Sequence, residues 1–109
     1  MIDDDRVFTA GVTAQLRCLD LKSGELLWKR DLMTEFSIPN YFFGYGPTPC
    51  VWQDRLIANV GGKDGNKGIC VAAFDKATGK TLWTHEDSWG ASYASPVVTN
   101  LHGKPVALV

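Results

Sequence analysis

The sequence predicts an all-β fold built from repeated antiparallel units, and three observations predict it. A ten-residue phrase is stated twice: Leu19-Asp20-Leu21-Lys22-Ser23-Gly24-Glu25-Leu26-Leu27-Trp28 and Phe74-Asp75-Lys76-Ala77-Thr78-Gly79-Lys80-Thr81-Leu82-Trp83. Short apolar or alternating runs are punctuated by glycine turns. No stretch carries the period and caps of a helix. In the repeated phrase Asp20, Ser23, Gly24, Leu27 and Trp28 recur as Asp75, Thr78, Gly79, Leu82 and Trp83, each 55 positions on. Recurrence at such a distance is the mark of a repeat architecture.

The elements follow in order. Asp5–Gly11 reads as a strand running into a glycine turn, and Gln15–Leu19 alternates polar and apolar residues as a second strand. Asp20–Gly24 is a turn: the Asp accepts backbone N–H bonds two or three residues on, and the Gly takes the positive φ that closes the hairpin. Glu25–Lys29 is a third strand. Residues 33–49 are a long connection with Phe36, Tyr41, Phe42, Phe43 and Tyr45 among glycines and prolines. It is too aromatic for a flexible linker. Its rings suit either a groove for an extended peptide or sugar, or a crossover filling gaps between sheets; the second is preferred, because aromatics more often pack than recognise.

A second unit then opens. Pro49–Trp52 is a strand, Gln53-Asp54 a turn, and Arg55–Val60 a strand similar to Arg6–Ala10. Gly61–Gly68 reads as a hairpin loop, from its Gly-Gly and Asp-Gly pairs. Ile69–Phe74 is a strand, Asp75–Gly79 repeats the first turn, and Lys80–His85 is a fourth strand. Ala94–Val98 resembles Thr48–Val51, His102–Lys104 is a turn, and Pro105–Val109 opens another strand. About four short strands per unit, with repeats near 40–50 residues, are the pattern of β-propeller blades. The chain then divides into a blade over 5–32, a crossover over 33–47, a blade over 48–86 and the start of a third over 93–109. Two blades and a part do not close a ring, so the chain reads as a fragment of a longer propeller or a truncated product.

Composition sets further bounds. The chain has 109 residues, 45% hydrophobic and 21% charged, with a formal net charge of −1. That balance argues against broad electrostatic binding to nucleic acid or anionic membrane, which needs a basic face. No apolar run approaches the roughly 18–20 residues of a spanning helix. The N-terminus, Met1-Ile2-Asp3-Asp4-Asp5-Arg6, is acidic and is not a signal peptide. That leaves a cytoplasmic protein or an internal piece of an exported one. Cys18, Cys50 and Cys70 are odd in number and widely spaced, which gives no support to a zinc or thioredoxin-type site. Buried thiols are the simplest reading; one disulfide stays open.

The repeated phrase is similar to the repeat of pyrroloquinoline-quinone-type propellers, A-x-D-x-x-T-G-x-x-x-W. The second copy, Ala73–Trp83, matches it throughout; the first, Cys18–Trp28, has Cys18 for Ala and Ser23 for Thr. The resemblance implies a tryptophan-docking motif made of Asp20, Ser23, Gly24 and Trp28, and of Asp75, Thr78, Gly79 and Trp83. In it, Asp and Ser or Thr lock the turn while the Trp packs against the adjacent blade. Quinoprotein dehydrogenases share this repeat with non-enzymatic propellers similar to the assembly factor BamB. Gly79-Lys80-Thr81-Leu82-Trp83 and Ala91–Val98 look closer to the second group. That group implies an extracytoplasmic scaffold or protein-interaction module. It would have no catalytic residue, metal or cofactor here, and its partners would be neighbouring blades outside the chain and a protein. The alternatives are a periplasmic quinoprotein dehydrogenase fragment, with quinone and Ca²⁺, and a sugar- or peptide-binding sensor. The dehydrogenases carry adjacent cysteines, which Cys18, Cys50 and Cys70 are not.

The remaining candidates carry weaker signals. Asp3-Asp4-Asp5 reads as a solvated turn, not a metal site. Asp64-Gly65-Asn66 lacks the later oxygen and Glu of a calcium loop. His85 and His102 have no partner at a catalytic spacing. Ser88, Ser92 and Ser95 lie in no nucleophile-elbow context. Gly79-Lys80-Thr81 ends like a phosphate loop, but Phe74 stands where that loop needs a Gly.

Overall fold

The computed structural model describes residues 1–38, 45–87 and 95–108. Among these residues ten strands and one helical turn follow in order: β1 (Ile2–Asp3), β2 (Arg6–Ala10), β3 (Gln15–Asp20), β4 (Leu26–Asp31), α1 (Leu32–Glu35), β5 (Cys50–Trp52), β6 (Arg55–Asp64), β7 (Lys67–Asp75), β8 (Thr81–Glu86), β9 (Val97–Leu101) and β10 (Lys104–Leu108). They form antiparallel sheets β1-β2-β3-β4, β5-β6-β7-β8 and β9-β10. The chain is all-β, with sheets of the kind that make propeller blades.

The first two sheets repeat one register. Arg6 faces Asp20 in the first, and Arg55 faces Asp75 in the second. The outer pair of each is bulged at the same place, between Cys18 and Leu19 and between Ala73 and Phe74. Trp28 pairs with Cys18 and Leu26 with Leu19; Trp83 pairs with Ala73 and Thr81 with Phe74. Leu27 and Leu82 are the extra bulge residues. A bulge bends and twists the outer strand, so the repeated phrase encodes a shape as well as a turn.

Three features depart from the sequence reading. The first sheet has a fourth strand, Ile2–Asp3, so in the run Asp3–Asp5 the first residue is strand and the other two are turn. A two-residue strand leaves no periodic signal. A helical turn forms at Leu32–Glu35, where no helix was expected. Asp31 caps it, accepting from Thr34 N at 3.2 Å and Thr34 Oγ1 at 3.0 Å, and Leu32 is fully buried. The expected loop 61–68 is mostly strand. β6 runs to Asp64 and β7 starts at Lys67, so only Gly65-Asn66 turns, and the Gly61-Gly62 pair belongs to a bulge between Asn59 and Gly62. Glycine pairs mark bulges as readily as turns. Pro39 and Tyr41–Gly44 of the connection, Ser88, Ser92 and Ala94 lie outside the described residues.

The long β6–β7 hairpin also accounts for two repeat spacings. Inner strands recur every 49 positions (Arg6, Arg55, Lys104), outer strands every 55. The six additional residues lie in that hairpin.

One core joins the first two sheets. Phe8, Leu16 and Cys18 of the first cluster with Leu56, Ala58, Val60, Ala72 and Phe74 of the second. Ala14, Leu32, Phe36, Ile38, Tyr45 and Ile69 complete the cluster. A second, smaller cluster, Ile57, Cys70, Val71 and Ala73, has Trp52 and Val98 packed against it. The middle sheet is thus covered on both faces, which explains why β6 and β7 read as continuous apolar runs. The described ends of the aromatic connection are core. Phe36 and Tyr45 are buried, and Tyr45 donates its hydroxyl to the carbonyl of Asn59 and its N–H to Val12 O at 2.7 Å. Burial pushes the Tyr45 phenol far above its ordinary pKa.

Where this connection crosses β6, Lys63 N–H donates to the Phe36 carbonyl, and a Cβ on Gly62 would collide with that same carbonyl. Gly62→Ala should therefore destabilise the chain by about 1–3 kcal/mol. Gly11→Ala, where nothing lies within 4 Å, should stay within about 0.5 kcal/mol. Urea midpoints of the two variants check the contrast.

Candidate functional site

The two copies of the repeat turn are built alike. Asp20 Oδ1 accepts from Lys22 N at 2.9 Å and Ser23 N at 2.8 Å, and Ser23 Oγ accepts from Glu25 N at 3.2 Å. Asp75 Oδ1 accepts from Ala77 N at 2.8 Å and Thr78 N at 3.1 Å, and Thr78 Oγ1 accepts from Lys80 N at 3.3 Å. Gly24 and Gly79 close the turns at φ of 72° and 79°, donating to the carbonyls of Asp20 and Asp75. Only glycine adopts that backbone without strain. The backbone N–H groups of Ser23 and Lys22 hold the Asp20 carboxyl below its ordinary pKa.

The copies differ in what covers them. Trp28, on β4 of the first sheet, lies against the turn of the second. Its Nε1–H donates to Lys76 O at 2.9 Å, and a methyl placed on Gly79 would stand 2.6 Å from Trp28 Cε3. Phe8 tilts against the same indole, with centroids 6.1 Å apart at 47°. Gly79 thus serves twice, as the positive-φ residue and as the flat surface beneath an indole. Gly24 has nothing within 4 Å above it.

Arg30 and Lys76 complete the junction. Arg30 shares a strand face with Trp28, two residues on. Its Nη1 donates to Gly79 O at 2.6 Å and its Nη2 to Thr81 Oγ1 at 3.1 Å, and its guanidinium lies 5.0 Å from the Phe74 ring centroid. Glu35 orients it through both carboxylate oxygens at 2.9 Å. Lys76 reaches back to Asp3 Oδ2 at 2.8 Å, which raises the lysine's pKa. Sequence reasoning missed all three partners. Arg30 left a signal, the i, i+2 spacing from Trp28. Asp3 left none: the acidic run looked solvated, and one of its members is an ion-pair partner.

Trp83 is placed otherwise. It is 40% exposed, and with Trp52, Arg55, Ile57, Val98 and Pro105 it lines a cleft of about 280 Å³ beside the third sheet. His85, two residues on, is exposed, and its carbonyl accepts from Cys70 Sγ at 3.5 Å. His102 sits in the β9–β10 turn at φ 50°. Ser95 Oγ accepts from Thr48 N at 2.9 Å. Asp64 and the Gly65-Asn66 turn form the tip of a hairpin. Cys18, Cys50 and Cys70 are free thiols on three strands, and burial raises the pKa of Cys18 and Cys70. Among the described residues no three His, Cys, Asp or Glu side chains converge as a metal site. No described helix is long and apolar enough to cross a membrane.

A family model described as "Outer membrane protein assembly factor BamB" matches residues 1–109. The chain belongs to this family. No curated protein matches significantly. Among solved structures the chain is similar to a europium-containing methanol dehydrogenase, with a TM-score of 0.58 and 24% identity over 78% of this chain. The chain spans 14% of that protein's length, and at this identity the likeness concerns the fold.

Two outcomes are expected. Trp28→Ala should cost about 3 kcal/mol in urea unfolding, and Trp83→Ala less than about 1 kcal/mol, although the two occupy the same place in the repeat. On the acid side, Asp20 and Asp31 both have lowered pKa values, Asp31 through the backbone N–H and hydroxyl of Thr34. A carboxyl lowered by folding stabilises above its unfolded value and loses that contribution as pH falls through the folded one. Unfolding midpoints should therefore drop below about pH 4, and the drop should be shallower in the Asp20→Asn, Asp31→Asn double variant.

Proposed function

We propose that residues 1–109 are a segment of a β-propeller that serves as a scaffold and protein-interaction module, with no catalytic residue of its own. The observation that carries this reading is the Trp28 junction. The polar atoms of the second repeat turn are occupied by its own backbone, by the Trp28 indole and by Arg30. Groups held in this way build a wall; they do not turn over a substrate. On this reading Trp28 and Trp83 are tryptophan-docking residues. Further blades outside the chain complete a ring, and the inter-strand loops face a protein partner. The family's description, which names an assembly factor, agrees with such a role. An extracytoplasmic location and the lack of a resident cofactor follow from the same family reading.

A second reading is a segment of a quinone-dependent dehydrogenase, whose repeat resembles the phrase stated twice here; the likeness to a methanol dehydrogenase is one of fold. The residues described here do not fit a quinone pocket. Cys18, Cys50 and Cys70 stand apart on β3, β5 and β7, and no three acidic or metal-ligating side chains converge among the described residues. No step through a quinone or Ca²⁺ is assigned to them.

Titration of the complete propeller that contains residues 1–109 with pyrroloquinoline quinone and Ca²⁺ separates the two readings. The scaffold reading expects an unchanged quinone spectrum up to about 1 mM and no dye-linked alcohol oxidation. A saturable spectral shift at micromolar quinone would overturn it.

A further inference from the structure

The first two sheets meet at both ends of the β6–β7 hairpin, and the repeated phrase accounts for one end alone. Arg55 and Asp75 pair beside the turn that Trp28 covers; Lys63 and Gly68 pair at the far end. Near that far end the ladder slips, so Val60 and Gly61 stand opposite Cys70 alone. The β2–β3 ladder has no such slip. A bulge disrupts main-chain pairing, and buried backbone groups beside it need other partners. The connection between the sheets supplies them. The Tyr45 hydroxyl donates to the Asn59 carbonyl, and the Phe36 carbonyl accepts from Lys63 N–H. The same connection grips the first sheet. Tyr45 N–H donates to Val12 O at 2.7 Å, and Leu32 N–H donates to Ala14 O at 3.0 Å. Tyr45, only 3% exposed, therefore bonds to the β2–β3 loop with its backbone and to β6 with its side chain.

Backbone strain accompanies these contacts. Ala14 and Ser37, neither a glycine, take left-handed backbone at φ 56° and 48°. Ala14 is fully buried, whereas Ser37 is exposed. Conformations of this kind persist only where the surroundings impose them, and they gather at clamps and switches. The Trp28 end is held otherwise, by an aromatic face, the Arg30 fork and the Lys76–Asp3 pair.

We propose that Tyr45 is a latch: it fixes the β2–β3 loop against the β6–β7 hairpin, and this end of the junction opens as a unit while the Trp28 end stays closed. Opening releases two tips, residues 11–14 and 64–67, from a fixed spacing. Val12 is 65% exposed at the first tip, and Asp64 and Lys67 are exposed at the second. A protein that binds both tips at their latched spacing selects the closed state, and one that needs them apart selects the open state. The hydroxyl sets the balance, because its loss takes a donor from the buried Asn59 carbonyl. The latch lies outside the twice-stated phrase and does not depend on the scaffold reading.

Hydrogen–deuterium exchange on the complete propeller that contains residues 1–109 tests the latch. Tyr45→Phe keeps the ring and removes the hydroxyl. Segments 11–16, 45–47 and 59–66 should then exchange at least about tenfold faster, while the repeat turn 74–80 stays within about twofold of the parent. Ser37→Gly should act the other way. It relaxes a left-handed residue without removing a buried group, so the same segments should exchange about twofold to tenfold more slowly. Equal acceleration of the repeat turn would overturn the proposal, because the junction would then be one cooperative unit. So would parent-like exchange of the three segments in Tyr45→Phe, or exchange in Ser37→Gly no slower than the parent's. If Tyr45→Phe does not fold, Ser37→Gly still decides. The quinone titration reads the scaffold claim separately, so either can fail alone.

Discussion

The arrangement depends on one contact, an indole laid against a glycine peptide. Trp28 leaves the first sheet and covers the turn of the second, where its ring and N–H use two properties of one short segment. The glycine gives the turn its left-handed residue and also removes the atom that would hold the ring away. A large aromatic surface is buried while the indole N–H keeps a hydrogen bond, which is the combination that makes tryptophan effective at internal interfaces. The apolar core from Phe8 to Phe74 lies beneath the same junction, so the staple and the core hold the two sheets together.

Charge refines this contact without replacing it. Arg30 reaches the Gly79 carbonyl and the Thr81 hydroxyl, stacks near Phe74 and is oriented by Glu35. Its bonds go to neutral oxygens on the neighbouring sheet, where a guanidinium fork gives direction and register. The Lys76–Asp3 pair ties the opposite strand of the first sheet to the same turn. Exposed ion pairs are individually weak. Here two of them flank an aromatic contact that has already ordered the backbone, so little further entropy is lost in forming them. The second junction keeps a tryptophan, Trp83, but has His85 and Trp52 in the places of Arg30 and Asp3, and these are different chemical groups. Repetition of fold therefore does not mean repetition of partner.

Much of this was legible in the residues, and the rest failed for identifiable reasons. The doubled phrase marked the outer hairpins, their turns and the tryptophans, because Asp, Ser or Thr, Gly and Trp each have one strong local role. The register bulge at Leu27 and Leu82 was hidden, since a bulge inserts a residue without changing composition. Gly61-Gly62 was read as a loop because glycine pairs serve bulges and turns alike; the reason for Gly62 is the Phe36 carbonyl, which comes from a distant segment. β1 and α1 are shorter than any period that could announce them. Arg30 was within reach, since it lies on the Trp28 face of its strand. Asp3 was not, because its partner is 73 positions away.

The most direct measurement of the central claim is a double-mutant cycle between Trp28→Ala and Gly79→Ala in urea unfolding. If the indole rests on Gly79, adding Cβ there costs left-handed strain plus a collision in the parent, but strain alone once the ring is gone. The account predicts a coupling of about 1–3 kcal/mol, with Gly79→Ala less damaging in the Trp28→Ala background. Additivity within about 0.5 kcal/mol would contradict it.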